Sequence, residues 1–102
     1  MRHFIVDIDG TICTDSRGKY ELARPMKTRI DYFNSLFDSG NKITYWTARG
    51  ANSGKDWLEF TKKQIEGWGV KYTELRTDKP AYDFWIDDKA YNGNRFFDEL
   101  YF

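Results

Sequence analysis

Residues 4–11 read Phe4-Ile5-Val6-Asp7-Ile8-Asp9-Gly10-Thr11. Phe4 to Ile8 is a short β-branched and aromatic run, and it stops at Asp9-Gly10-Thr11. Such a run reads as a buried strand ended by a glycine turn. Beyond the turn, Asp15 to Ala23 is polar around Gly18 and reads as a small hairpin or flap. Pro25 opens a helical pattern in which Met26, Ile30, Phe33 and Phe37 recur at spacings of four, three and four, with Gly40 at the stop position. Lys42 to Thr47 is a second strand, followed by a glycine-containing loop over Arg49 to Gly54. Ser53 is placed to cap a second helix whose face carries Trp57, Leu58, Thr61, Ile65 and Trp68, ending at Gly69. Val70 to Leu75 alternates apolar and polar residues, as a half-wet strand does. Tyr82 to Ile86 reads as a further strand running into Asp87-Asp88. The tail from Asn92 carries Phe96, Phe97, Leu100 and Phe102 and reads as a short helix packed back on the sheet. Strands alternating with helices imply right-handed crossovers and a mostly parallel sheet. The expected fold is α/β: a three-layer α/β/α sandwich, Rossmann-like in outline.

The composition bounds what this fold can do. At 102 residues the chain is expected to be one domain, because two cores would each be too small to fold unaided. Hydrophobic residues make up 40% and aromatics 19%, enough for a core without covalent staples. The 16 basic and 16 acidic residues cancel, so no overall field draws in nucleic acid or a membrane surface. Cys13 is the single cysteine, which excludes an internal disulfide framework and fits a reducing compartment. The apolar run after Met1 is far too short for a secretion signal or a membrane span. The expectation is a cytoplasmic, soluble protein.

In an open parallel sheet, ligands sit at the carboxyl ends of the strands. Three expected strands end there in polar residues: Asp7-Ile8-Asp9-Gly10-Thr11, Thr47-Ala48-Arg49 and Asp87-Asp88, with Lys79 just before the last. Four carboxylates at one edge repel by about 1–4 kcal/mol per pair, depending on the dielectric. A bound cation or proton uptake makes the arrangement tolerable. A single histidine and a single cysteine cannot build a nitrogen and sulfur site, so an all-oxygen set points to Mg²⁺. A carboxylate at a rigid strand end can attack phosphorus in line and form an acyl-phosphate that water hydrolyses. A second carboxylate two residues on can protonate the leaving alkoxide and later deprotonate the water. Gly10 lets backbone approach the phosphate, while Thr47 and Lys79 supply a hydroxyl and a cation for the transferring group.

These elements, in this order, make the chain resemble a hydrolase of the haloacid dehalogenase superfamily, over residues 4 to 88. The resemblance implies Asp7 as nucleophile and Asp9 as general acid/base. It implies Mg²⁺ held by the Asp7 carboxylate, the Asp9 carbonyl and Asp87, with Asp88 through water, and Thr47 and Lys79 gripping the phosphoryl oxygens. Gly10, Thr11, Ala48 and Arg49 are the accompanying phosphate- and substrate-binding positions. Asp9, two after the nucleophile, favours phosphatase over dehalogenase chemistry. The gaps between the first three motifs are about 35 and about 30 residues, which leaves no room for a cap domain. Similar short members accompany sugar-phosphate, capsule or lipopolysaccharide biosynthesis, which makes a phosphorylated sugar the first substrate class. Capless members also act on exposed phosphates of larger substrates, or close the site with a neighbouring subunit, so a dimer stays open.

Other residues carry blander readings. Arg49 either contacts substrate phosphate or ties its loop to a carboxylate. Arg24 and Arg76 read as solvated charges. Trp46, Phe84 and Trp85 read as core, while Tyr20, Trp57, Tyr82 and Tyr91 fall near loops where packing competes with stacking on a ligand. Cys13 reads as a buried filler and His3 as structural. The rival functions are a polynucleotide end phosphatase, which the neutral charge disfavours, a receiver-type phosphoacceptor domain, and a structural or regulatory subunit that keeps the motif. In a receiver the phosphorylated aspartate follows a middle strand, whereas here the middle strand ends in Thr47.

Overall fold

A computed structural model describes residues 1–100. Its elements are strand β1 (His3–Val6), a 3₁₀ turn (Tyr20–Leu22), helix α1 (Lys27–Asp38), strand β2 (Lys42–Trp46), helix α2 (Leu58–Gly67), strand β3 (Glu74–Arg76) and helix α3 (Gly93–Leu100). The sheet has three strands in the order β1-β2-β3, all parallel. Val6 pairs with Tyr45, and Trp46 with Arg76, so all three strands release their carboxyl ends along one edge.

Alternation along the strands sorts the faces. Val6, Ile43 and Tyr45 join Ile30 and Phe33 of α1, Ile65 of α2 and Phe97 of α3 in one buried cluster. On the opposite face Ile5 is 61% exposed, and His3 makes a 2.8 Å hydrogen bond with Thr44 Oγ1. Strands added in one direction by right-handed crossovers place their connecting helices on one side, which is where this core lies. α1 ends as its glycine foretells. Gly40, at φ +92°, donates to Phe37 O, and Asn41 donates to Leu36 O, the paired bonds of a Schellman motif. α2 closes in the same way at Gly69 and Val70.

Several expectations are corrected. Tyr82–Ile86 is not a strand: Phe84 and Ile86 are 85% and 95% exposed and Trp85 is 43% exposed, so neither Phe84 nor Trp85 is core. Its β-rich composition states a local preference, which becomes a strand only where a neighbouring strand pairs with it. α2 starts at Leu58, not after Ser53, because the Asp56 carboxylate accepts the Leu58 N–H while Ser53 Oγ is spent on the Lys55 N–H. The tail helix forms, and Phe97 enters the core. Phe102 lies outside the described residues.

Candidate active site

The loop after β1 is held by its own backbone. Ile8 is fully buried, and its carbonyl accepts the N–H groups of both Thr11 and Ile12. Gly10, at φ +81°, donates its N–H to Cys13 O at 2.8 Å. The Gly10 and Thr11 amides are therefore committed within the turn and not offered to a phosphate. Thr11 faces α3, its carbonyl taking a hydrogen bond from Arg29. Beyond the turn, Thr14 N–H donates to Arg24 O and Arg24 N–H to Thr14 Oγ1, so the two ends of the 14–24 segment close into the expected flap.

The second strand end is built around Thr47, which is buried. Its N–H donates to Arg76 O, its carbonyl accepts the Lys79 N–H at 3.3 Å, and its Oγ1 accepts the Arg49 N–H. That main-chain bond brings Lys79 back over β1, where its ammonium lies 3.7 Å from Asp7 Oδ1. The rings of Tyr82 and Trp85 lie 5.2 and 5.7 Å from the same ammonium.

Asp7, Asp9, Thr47, Ala48, Arg49 and Lys79 therefore share one open cleft of about 210 Å³. Asp15, Gly18, Tyr20 and Tyr82 complete its wall. Asp15 was not singled out by its sequence, whose only signal was the polar flap around Gly18. Burial holds the Asp7 carboxyl above the usual carboxylate range, with Lys79 and the Ile8 amide pulling the other way. Burial, with Asp9 beside it, pushes the Cys13 thiol up to about 12, so the sulfur stays protonated and unreactive at neutral pH.

Arg49 settles on the carboxylate. Nε and Nη2 each lie 2.9 Å from one oxygen of Asp9, a bidentate fork. The Arg49 side chain is wholly buried. Removing either partner of such a pair costs about 3–5 kcal/mol, because the other charge is stranded.

Asp87 and Asp88 do not join this cleft. Both are exposed, neither is among the lining residues, and Asp87 Oδ1 accepts the Lys89 N–H in a local turn. Among the described residues no group of three or more His, Cys, Asp or Glu side chains is placed to hold a metal ion. With Asp87 and Asp88 outside the cleft, the arrangement does not fit the Mg²⁺ set that the resemblance implies, the Asp7 carboxylate, the Asp9 carbonyl and Asp87 with Asp88 through water. The chemistry open to this geometry is what the side chains themselves supply. Asp7 is a partly exposed carboxylate facing a cleft, Lys79 is a cation beside it, and Asp9 is a second carboxylate of fixed orientation.

No helix among the described residues is long and apolar enough to cross a membrane. No protein-family profile matches the chain, and no curated protein matches it. Among solved structures, the crystal structure of an MCSG target from Vibrio cholerae superposes with a TM-score of 0.81. It is 23% identical and the match covers 94% of this chain and 87% of that one, a likeness that shows the fold alone.

Proposed function

We propose that this chain is a phosphatase of the haloacid dehalogenase type, hydrolysing a phosphomonoester through an aspartyl-phosphate on Asp7. The supporting observation is the Asp7–Lys79 pair at 3.7 Å in a cleft that also holds Asp9 and Thr47. In the first step an Asp7 oxygen bonds to phosphorus as the ester P–O bond breaks, and Asp9 gives its proton to the departing alkoxide. In the second, water attacks phosphorus, its proton passes to Asp9, the P–O bond to Asp7 breaks, and inorganic phosphate leaves. Lys79 and the Thr47 hydroxyl offset charge on the transferring oxygens.

The cleft is smaller than the roughly 300–1,000 Å³ of sites that enclose a whole ligand. It suits a phosphoryl group and its nearest atoms, with the rest of the substrate outside. Its lining holds three carboxylates, Asp7, Asp9 and Asp15, against two cations, Arg49 and Lys79, which favours an uncharged body such as a sugar over a polyanion. The three-layer sandwich belongs to the same reading. It is supported by Ile5, 61% exposed on the sheet face opposite the helices, an apolar side chain that a further layer would cover. A cytoplasmic setting is part of the same reading and is supported by the lone Cys13, which fits a reducing compartment.

The test is phosphate release from p-nitrophenyl phosphate, with Mg²⁺ and after chelation, by the wild type and Asp7→Asn. Turnover that disappears in Asp7→Asn supports the reading, and its response to Mg²⁺ decides whether a metal belongs to it. A folded wild type that releases no phosphate from this probe or from a panel of sugar phosphates, under either condition, would sink it.

A further inference from the structure

We propose that Arg49 is the positioning residue of Asp9, fixing the carboxylate that exchanges protons with the leaving group; the inference rests on the phosphatase reading above. A guanidinium has five N–H donors. In Arg49, Nε and Nη2 hold the two oxygens of Asp9 at 2.9 Å, while Nη1 donates to Thr61 Oγ1 at 3.2 Å and to Gln64 Oε1 at 2.8 Å. Four of the five donors are thus used inside the protein, which leaves too few for a phosphate clamp.

The fork cannot swing. Thr61 and Gln64 belong to α2 and hold its far side. The Tyr20 ring of the flap lies 4.4 Å from Arg49 Cζ, and Gln64 Nε2 donates to Tyr20 O at 2.7 Å. Arg49 is therefore gripped by a helix on one side and capped by the flap, and it passes that rigidity to Asp9. A carboxyl group offers about four lone-pair positions on its two oxygens, one of them taken by the proton when the group acts as the acid. The planar fork occupies two and sets the carboxylate plane, so the remaining positions face a constant direction. Proton transfer depends on this alignment, and a displacement of about 1 Å costs on the order of 10²-fold.

The inference separates from the phosphatase reading by leaving group. A p-nitrophenolate leaves without help from an acid, whereas an alkoxide needs a proton as its P–O bond breaks. Both probes, p-nitrophenyl phosphate and ethyl phosphate, are to be compared by kcat/KM, which reports steps through formation of the phosphoenzyme. Arg49→Lys keeps the charge and loses the fork. It is expected to lose about 10²-fold on ethyl phosphate and less than about 10-fold on p-nitrophenyl phosphate. Gln64→Met, which frees one side of the guanidinium without stranding a charge, is expected to show the same bias at several-fold and serves if Arg49→Lys does not fold. Equal losses on the two probes, or none, would overturn the role of Arg49 and leave the phosphatase reading standing. A wild type inactive on both would remove the two together.

Discussion

The ammonium of Lys79 stands 3.7 Å from Asp7 Oδ1, although 72 positions separate them in the chain (79 − 7). The parallel register makes this possible. β1 and β3 release their chains at the same edge, and the bond from Lys79 N–H to Thr47 O turns the lysine inward across β2. Two opposing influences therefore act on Asp7: burial, which favours the neutral acid, and Lys79, which favours the carboxylate.

Burial is the larger of the two, so Asp7 is expected to titrate above the ordinary carboxylate value of 3.8. A ¹³C carboxyl NMR titration of metal-free protein measures this directly. Lys79→Met removes the lowering influence, and the Asp7 midpoint is expected to move further up. A midpoint at or below the ordinary value, or one that falls in Lys79→Met, would contradict the account. The same substitution is expected to reduce kcat by about 10²–10³-fold, as the loss of a fixed charge-stabilising group does.

The two aspartates are expected to behave oppositely in stability. Asp7 has a raised folded pKa, so the folded state gains from it in acid and loses that gain as pH rises from 3.8 through the folded value. At neutral pH Asp7→Asn removes this penalty and is expected to be no less stable than the wild type. Asp9→Asn leaves the buried Arg49 without its partner and is expected to lose about 3–5 kcal/mol. Urea unfolding of both variants at pH 7 decides, and a stable Asp9→Asn beside an unstable Asp7→Asn would reverse the assignment.

Tyr45 is fully buried, and its hydroxyl has no hydrogen-bond partner among the described residues. An unmet buried hydroxyl costs about 1–3 kcal/mol. Tyr45→Phe keeps the ring in the cluster and is expected to raise stability by about 1 kcal/mol. A loss of stability in urea unfolding would show that the hydroxyl is satisfied in solution.

Gly50 follows Arg49 at φ +89°, and a Cβ there would stand 2.2 Å from the carbonyl oxygen of Lys55. Gly50→Ala adds left-handed strain of about 1–2 kcal/mol to overpacking of about 1–3 kcal/mol, for an expected loss of about 2–5 kcal/mol. Gly54, at φ +72°, has open space around it, so Gly54→Ala is expected to bear the strain alone. Equal losses at the two positions in urea unfolding would mean that the contact with Lys55 is not made.

The alternation of strands and helices, the two glycine-ended helices, and the gathering of Asp7, Asp9, Thr47 and Lys79 at one sheet edge are legible in the residue pattern alone. Period, capping and strand-end carboxylates are local signals, and parallel pairing converts them into a shared edge. Three further features depend on how distant segments pack. Tyr82–Ile86 looks like a strand, yet strand formation depends on a pairing partner that no local pattern encodes, and Asp87 and Asp88 stay outside the cleft with it. The Gly10 and Thr11 amides look available, yet the turn consumes them. Arg49 had two readings, and its place against Asp9, Thr61, Gln64 and Tyr20 follows from β1, β2, α2 and the flap meeting at one point. Such a meeting is a property of packing between segments far apart in the chain, not of any stretch of it.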